Sequence, residues 1–324
     1  MEVQFSEQGL VLKHPAIANP RNVSRNPEKI VNKIKNQHFV PRFYLEKFTD
    51  SDGKIYAFDF RTKNQFETSV DNIANQKYFY DYEPIDSILG DQTIEKLLSK
   101  FESDIAIVFS RIIDQLNKGN IEDPSHNNRI ELARFILIQQ SRTEESRTLS
   151  RHALLEAERQ LLAKSATKEF IGSYGLTPKN HDAKLDQIRS FITLDNDDVV
   201  NELCDRYWVY WRNNTDSLFY TSDHPVVGHI HEDLNMNAYE IFFPLTPTLA
   251  VSILLKDQFP TWAGMNNKIV ELNNPEFIKF YNGLIIHNCN RQVYNSSNEL
   301  DLAKAILLQK PELSNPDRQR FAKM

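Results

Sequence analysis

YWVYWR (207–212), SLFYTS (217–222), YEIFFPL (239–245) and TLAVSILL (248–255) decide the fold class. Each is a short run rich in aromatic and β-branched residues, bounded by Asn, Asp, Pro or Thr, and together they predict antiparallel strands. The period differs upstream. Ile94, Leu97, Leu98, Phe101, Ile105, Val108, Ile112 and Leu116 recur at helical spacing and predict a helix over about 91–117 with one apolar stripe. A second helix is expected from about Asn127 past Arg142, continuing as an amphipathic stretch to Ala163, and a shorter one over 182–193. IYAFDF (55–60) and QFETSV (65–70) predict a hairpin, with Tyr78, Phe79, Tyr80 and Tyr82 as an aromatic turn behind it. Helical patterns return at 275–287, where Pro275 suits a first-turn position, and at 299–308, with strand RQVYN (291–295) between them. Helices gather in the middle and strands follow, rather than alternating. That order predicts an α+β domain over 36–324, central helices packed on a mainly antiparallel sheet, preceded by an arm or irregular lead-in over 1–35.

The 324 residues are 40% hydrophobic and 25% charged, a globular balance that argues against wholesale disorder. The formal net charge of −6 speaks against a uniformly nucleic-acid-binding surface. From Arg21 to Lys63, however, ten Lys/Arg stand against five acids, a local excess that either meets phosphate or forms a solvated face. Cys204 and Cys289 stand far apart with no CxxC, which excludes a cysteine zinc site and leaves no disulfide framework. No apolar run is long enough to span a bilayer, and the N-terminal residues lack a signal-peptide pattern, so no membrane partner and a cytoplasmic location are expected. GxGxxG and GxxxxGK[ST] are both absent, so no nucleotide cofactor is expected from either loop.

NQHFVPRFYLEKF (36–48) resembles the opening motif of the bacterial domain-of-unknown-function family 4238, in which a His pair precedes Val-Pro, an aromatic pair, Leu and Phe. FILIQQSRT (135–143), YTSDHPVV (220–227), FFPLTPTL (242–249) and the C-terminal RQVYN extend the resemblance in the same order, as does the helix bearing Glu95 and Glu102. This chain has Gln37 and His38 where the family often has two histidines.

Several polar residues in these motifs are candidates for chemistry. On the second helix Leu132, Phe135, Ile136 and Gln139 project together, with Arg142 and Thr143 close by, while Arg134, Ser141 and Glu145 form the expected solvent stripe. An inward Arg142 either ties helices together through a carboxylate or forks onto a phosphate. Glu95 and Glu102 lie two turns apart on one helix face and are candidate metal ligands or partners of Arg142. His38 is a structural residue or the general base, with Tyr44 near it and Arg42 as a substrate-binding cation. Asp223 in Ser-Asp-His-Pro either caps a turn or is delivered into a pocket at a strand end. Adjacent side chains diverge, so Ser222, Asp223 and His224 do not form a nucleophilic triad. His229 and His231 share one side of an extended GHIHED segment (228–233), read as a surface loop or, less readily, as a metal pair.

Two functions follow. The first is a hydrolase, a metal-dependent nuclease or phosphodiesterase, with a nucleic acid or phosphorylated small molecule as substrate. His38, Gln139, Arg142 and Asp223 would be catalytic; Tyr44, Arg42 and Thr143 would bind substrate; Glu95 and Glu102 would hold Mg²⁺ or another divalent ion. The second is a binding or sensor module in which the same cluster is a buried network fixing helix packing. A role in bacterial defence is compatible with both and rests on the resemblance alone.

Overall fold

The computed structural model describes residues 2–6, 9–13, 33–119, 126–163, 167, 182–193, 197–231 and 238–320. The chain divides into two compact units, Met1–Lys33 and Ile34–Met324. In the first, where the sequence reads as irregular, β1 (Glu2–Ser6) and β2 (Gly9–Lys13) pair as an antiparallel hairpin.

The second unit runs β3 (Asn36–His38), α1 (Arg42–Leu45), β4 (Ile55–Asp59), β5 (Asn64–Thr68), β6 (Asn75–Lys77), α2 (Glu83–Leu89), α3 (Thr93–Asn117), α4 (His126–Ser141) and α5 (Glu144–Ala163). It continues with α6 (Ala183–Thr193), α7 (Asp197–Cys204), β7 (Tyr207–Asn213), β8 (Thr221–Ser222), β9 (Val227–His231), β10 (Ala238–Thr246) and β11 (Leu249–Leu254). The remaining elements are β12 (Lys268–Leu272), α8 (Pro275–Asn288), β13 (Gln292–Asn295) and α9 (Asp301–Gln309). This is an α+β fold.

A five-stranded sheet has the order β12-β7-β11-β10-β9 and is antiparallel except where β12 lies parallel to β7. A four-stranded antiparallel sheet has the order β5-β4-β13-β8, and β3 pairs with β6. The expected strand 217–222 shortens to Thr221–Ser222, because the preceding backbone bonds elsewhere. Phe219 N–H donates to the Pro247 carbonyl and Tyr220 N–H to the Asn282 side chain.

Both faces of the five-stranded sheet are covered. Tyr210, Ile241, Phe243, Val251 and Ile253 enter a first core with Phe109 of α3 and Phe135 of α4. The alternating residues Val209, Trp211, Phe242, Ala250 and Leu254 enter a second core with Ile278, Tyr281 and Ile285 of α8. Burial on both sides explains why these strands read as continuous apolar runs rather than as alternation. Pro275 at the first turn and the Asn274 side chain, which accepts the Glu276 N–H at 3.0 Å, fix where α8 begins.

Helix α3 buries Ile94, Leu98, Ile105, Ile112 and Leu116 as its stripe predicts, but Leu97 sits at the stripe's edge and is 58% exposed. The long second helix is interrupted. It ends at Ser141, and α5 restarts at Glu144 with Thr143 Oγ1 accepting the Ser146 N–H at 3.2 Å, an N-cap bond. The restart resets the helical phase, so Glu145 is not on a solvent stripe but buried against Arg320 at 2.5 Å.

Phe135 is fully buried and its ring meets those of Phe43, Tyr44, Phe101, Phe109 and Phe243 within 6.4 Å. Phe135→Ala is expected to lower unfolding free energy by about 3–5 kcal/mol in a denaturant titration. A loss below about 1 kcal/mol would contradict this packing.

Candidate functional site

The α4–α5 junction carries the candidate site. Arg142 is 1% exposed. Its Nη2 donates to the His38 carbonyl at 2.7 Å and pairs with Glu102 Oε1 at 2.7 Å. Its Nε donates to Tyr80 Oη at 3.1 Å, and Tyr80 Oη donates in turn to the Arg142 carbonyl at 3.0 Å. Nη1 is buried without a hydrogen-bond partner. Burial opposes the charge, but Tyr80 and Glu102 outweigh it and raise the Arg142 pKa, so the guanidinium stays charged.

Glu95 and Glu102 share a face of α3 but not an environment. Glu102 is paired to the guanidinium. Burial is the largest influence on Glu95; Arg142 draws its pKa down, Glu102 and Asp81 push it up, and the result is about 7. Close to neutral pH, Glu95 therefore exchanges a proton. His38 offers its carbonyl to Arg142, while its Nε2 lies 3.1 Å from the Val70 carbonyl. A carbonyl only accepts, so in the neutral ring Nε2 carries the proton and Nδ1 is the basic nitrogen. Burial, the largest cause, holds the His38 pKa below the ordinary imidazole value.

Other sequence candidates occupy different positions. Gln139 is fully buried, donating to the Phe39 carbonyl at 3.0 Å, while its Oε1 is buried without a partner. Thr143 caps α5 and its hydroxyl lies 2.7 Å from His224 Nδ1; burial pushes that imidazole down to about 4. The tautomer of the neutral ring sets which of the two donates in this bond, and the threonine oxygen also accepts the Ser146 N–H.

Asp223 is engaged with the loop before β13. Its carboxylate accepts the N–H groups of Asn290, Arg291 and Gln292 at 2.8, 2.8 and 2.9 Å. Burial raises its pKa to about 7 even against these three amide donors. Tyr44 is buried, its hydroxyl donating to the Pro244 carbonyl at 2.8 Å beside Thr221 Oγ1 at 2.8 Å. Arg42 lies on the surface, paired with Asp71 at 2.8 Å. Of the basic stretch 21–63, residues 21–32 lie outside the described residues.

His38, Glu95, Glu102 and Arg142 thus come together, with Gln139 one helical turn before Arg142. Tyr80 was missed as a site residue: its place in an aromatic turn marks it for the core and gives no sign of its hydroxyl. Among the described residues, no group of three or more His, Cys, Asp or Glu is placed to hold a metal ion, and no helix is long and apolar enough to cross a membrane.

The opening motif, the Glu-bearing helix and the junction all lie within residues 36–299, which match the model of the family described as Protein of unknown function (DUF4238). The chain belongs to this family. No curated protein and no solved structure matches it.

The raised Glu95 pKa has a consequence for stability. Between its unfolded value of 4.5 and its folded value of about 7, the folded chain holds a proton that the unfolded chain releases. The Glu95 contribution to stability therefore falls as pH rises through that window. Glu95→Gln removes the effect, so its stability relative to the natural chain is expected to rise between pH 4.5 and 7, measured by denaturant unfolding across that range. A pH-independent difference would contradict the buried setting of Glu95.

Proposed function

We propose that the chain is a hydrolase acting on phosphodiesters, of the nuclease or phosphodiesterase class, with Glu95 and Glu102 as its working pair. The observation that carries this reading is the split between two carboxylates on one helix face. One is locked to a buried guanidinium, and the other is pushed to about 7. Carboxylates whose environments separate them in this way divide acid–base roles.

Glu95, half-buried and protonated for part of the time at neutral pH, gives or takes the proton at the reacting oxygen. Glu102 is held in place by Arg142 Nη2. Arg142 has no exposed face and acts as a positioning residue, fixing Glu102 and the β3 backbone.

A phosphodiester brings negative charge toward two carboxylates, so this substrate class calls for a divalent cation such as Mg²⁺. Of the two, Glu102 would hold it, because a metal-bound Glu95 could not also carry the proton. One or two carboxylates, with water and substrate oxygens completing the shell, suffice for Mg²⁺. When bound, the ion offsets the charge on the phosphoryl oxygens.

The test is hydrolysis of bis(p-nitrophenyl) phosphate and of short DNA and RNA strands by the purified chain, with Mg²⁺ and with EDTA. Mg²⁺-dependent turnover is expected, falling about 100-fold or more in Glu95→Gln with thermal stability retained. No turnover by the natural chain, or full turnover by Glu95→Gln, overturns the reading.

A second reading, a binding or sensor module without chemistry, is favoured by the bonds Arg142 already makes to Tyr80, His38 and Glu102. There the network only fixes α3, α4 and β3 together. Under this reading Arg142→Met costs about 3 kcal/mol or more in unfolding free energy, and the natural chain shows no hydrolysis.

A further inference from the structure

Beside the second core, between the five-stranded sheet and α8, lies a cavity of about 460 Å³ that opens to the surface past Phe277 and Phe280. It lies apart from the Arg142 network, whose aromatic partner Tyr80 belongs to the first core. Its walls are mostly rings: Trp211 from β7, Phe259 and Trp262 from the segment after β11, and Phe277, Phe280 and Tyr281 from α8. Trp211 meets Trp262 edge-on at 5.9 Å and Tyr281 at 6.1 Å, and Phe280 meets Tyr281 at 5.3 Å.

One wall residue breaks the apolar pattern of its strand. Glu240 of β10 is 2% exposed yet lines this cavity. Its Oε1 accepts from Ser252 and, at 3.2 Å, from Tyr281 Oη; its Oε2 lies 2.6 Å from His231 Nε2. Ser252 is itself fixed by Trp211 Nε1 at 2.6 Å. A carboxylate holds about four lone-pair sites, and three are taken, so it is pinned with acceptor capacity left.

No Lys or Arg stands among the described residues of the wall. The N-terminus of α8, which by itself would favour an anion, already carries its counter-charge. Asn274 caps the Glu276 N–H, and the Glu276 carboxylate lies at the cavity rim.

We propose that this cavity binds a small organic cation, an ammonium group on an aliphatic or aromatic body, through the ring faces and Glu240. Ring faces carry negative electrostatic potential and attract ammonium groups that have shed water. A buried carboxylate at the same wall, bonded to His231, supplies a counter-charge. Glu240 pairs with His231 at 2.6 Å and Glu276 with Lys279 at 3.5 Å. An anion in the pocket would still face both carboxylates with no Lys or Arg in the described wall, and a neutral ligand would leave the remaining acceptor capacity of Glu240 unused.

The test is isothermal titration of the full chain with choline and benzyltrimethylammonium, against 3,3-dimethylbutan-1-ol, the neutral carbon isostere of choline. Both cations are expected to bind at least tenfold more tightly than the isostere. Phe280→Leu keeps an apolar side chain at a position that is 42% exposed but removes the ring; it is expected to weaken choline binding several-fold with an unchanged melting temperature. Glu240→Gln is expected to reduce the preference of the pocket for choline over its isostere. The proposal is overturned if neither cation binds, if the isostere binds as tightly as choline, or if Phe280→Leu binds choline as the natural chain does.

Discussion

A buried positive charge constrains this fold more than any other single group. Arg142 has lost nearly all contact with water, and a guanidinium in that setting survives only where protein atoms replace its hydration. The replacements come from three places remote in sequence: the His38 carbonyl of β3, the Tyr80 hydroxyl and the Glu102 carboxylate of α3. One side chain thus ties the opening motif, the aromatic turn and the first long helix to the α4–α5 junction. The match is incomplete. Nη1 of Arg142 and Oε1 of Gln139 are buried without partners, each at a desolvation cost of about 1–3 kcal/mol. The bonds that are made, with the surrounding core, outweigh that deficit.

The second constraint is the five-stranded sheet, apolar on both faces. Strands of this kind tolerate a polar residue only where other polar groups meet it. Glu240 and Ser252 are such residues, and they meet each other, His231, Tyr281 and Trp211. Their neighbours along the strands, Ile241 and Ile253, point into the first core instead. The alternation of a β-strand therefore puts the Arg142 network and the aromatic cavity in contact with different cores, divided by one sheet.

Periodicity made much of this legible. The α3 stripe, the hairpin over β4 and β5, the strands β7, β10 and β11 and the helix beginning at Pro275 all follow from spacing of apolar residues and local caps. Arg142 was legible as buried because it follows Gln139 and Phe135 on one face. The helix break beside it was not. SRTEES contains neither Gly nor Pro, and only the Thr143 side chain, free to cap once the chain turns, accounts for the restart. Asp223 looked like a deliverable carboxylate because a strand end is a common place for one; its partners are backbone amides at 290–292, which no residue type announces. His229 and His231 share one side of an extended segment that reads from sequence as a surface loop or, less readily, a metal pair. They instead belong to β9, where pairing with β10 sets His231 beside Glu240. The signal available for that site was Glu240 itself, a lone acid inside an apolar strand.

The same distinction separates the two glutamates of α3. Spacing by seven residues places Glu95 and Glu102 on one face, and nothing in their chemistry tells them apart. Glu102 lies within reach of Nη2, and Glu95 feels the guanidinium only at longer range, where burial and the charges of Glu102 and Asp81 prevail. The position of the guanidinium, not the spacing of the two glutamates, decides which of them it pairs with. Its actual position follows from the α4–α5 break, which sets Arg142 beyond the last residue of α4 and lets the Tyr80 hydroxyl bond both its Nε and its carbonyl. The difference between two identical side chains on α3 is therefore fixed by a turn between two other helices.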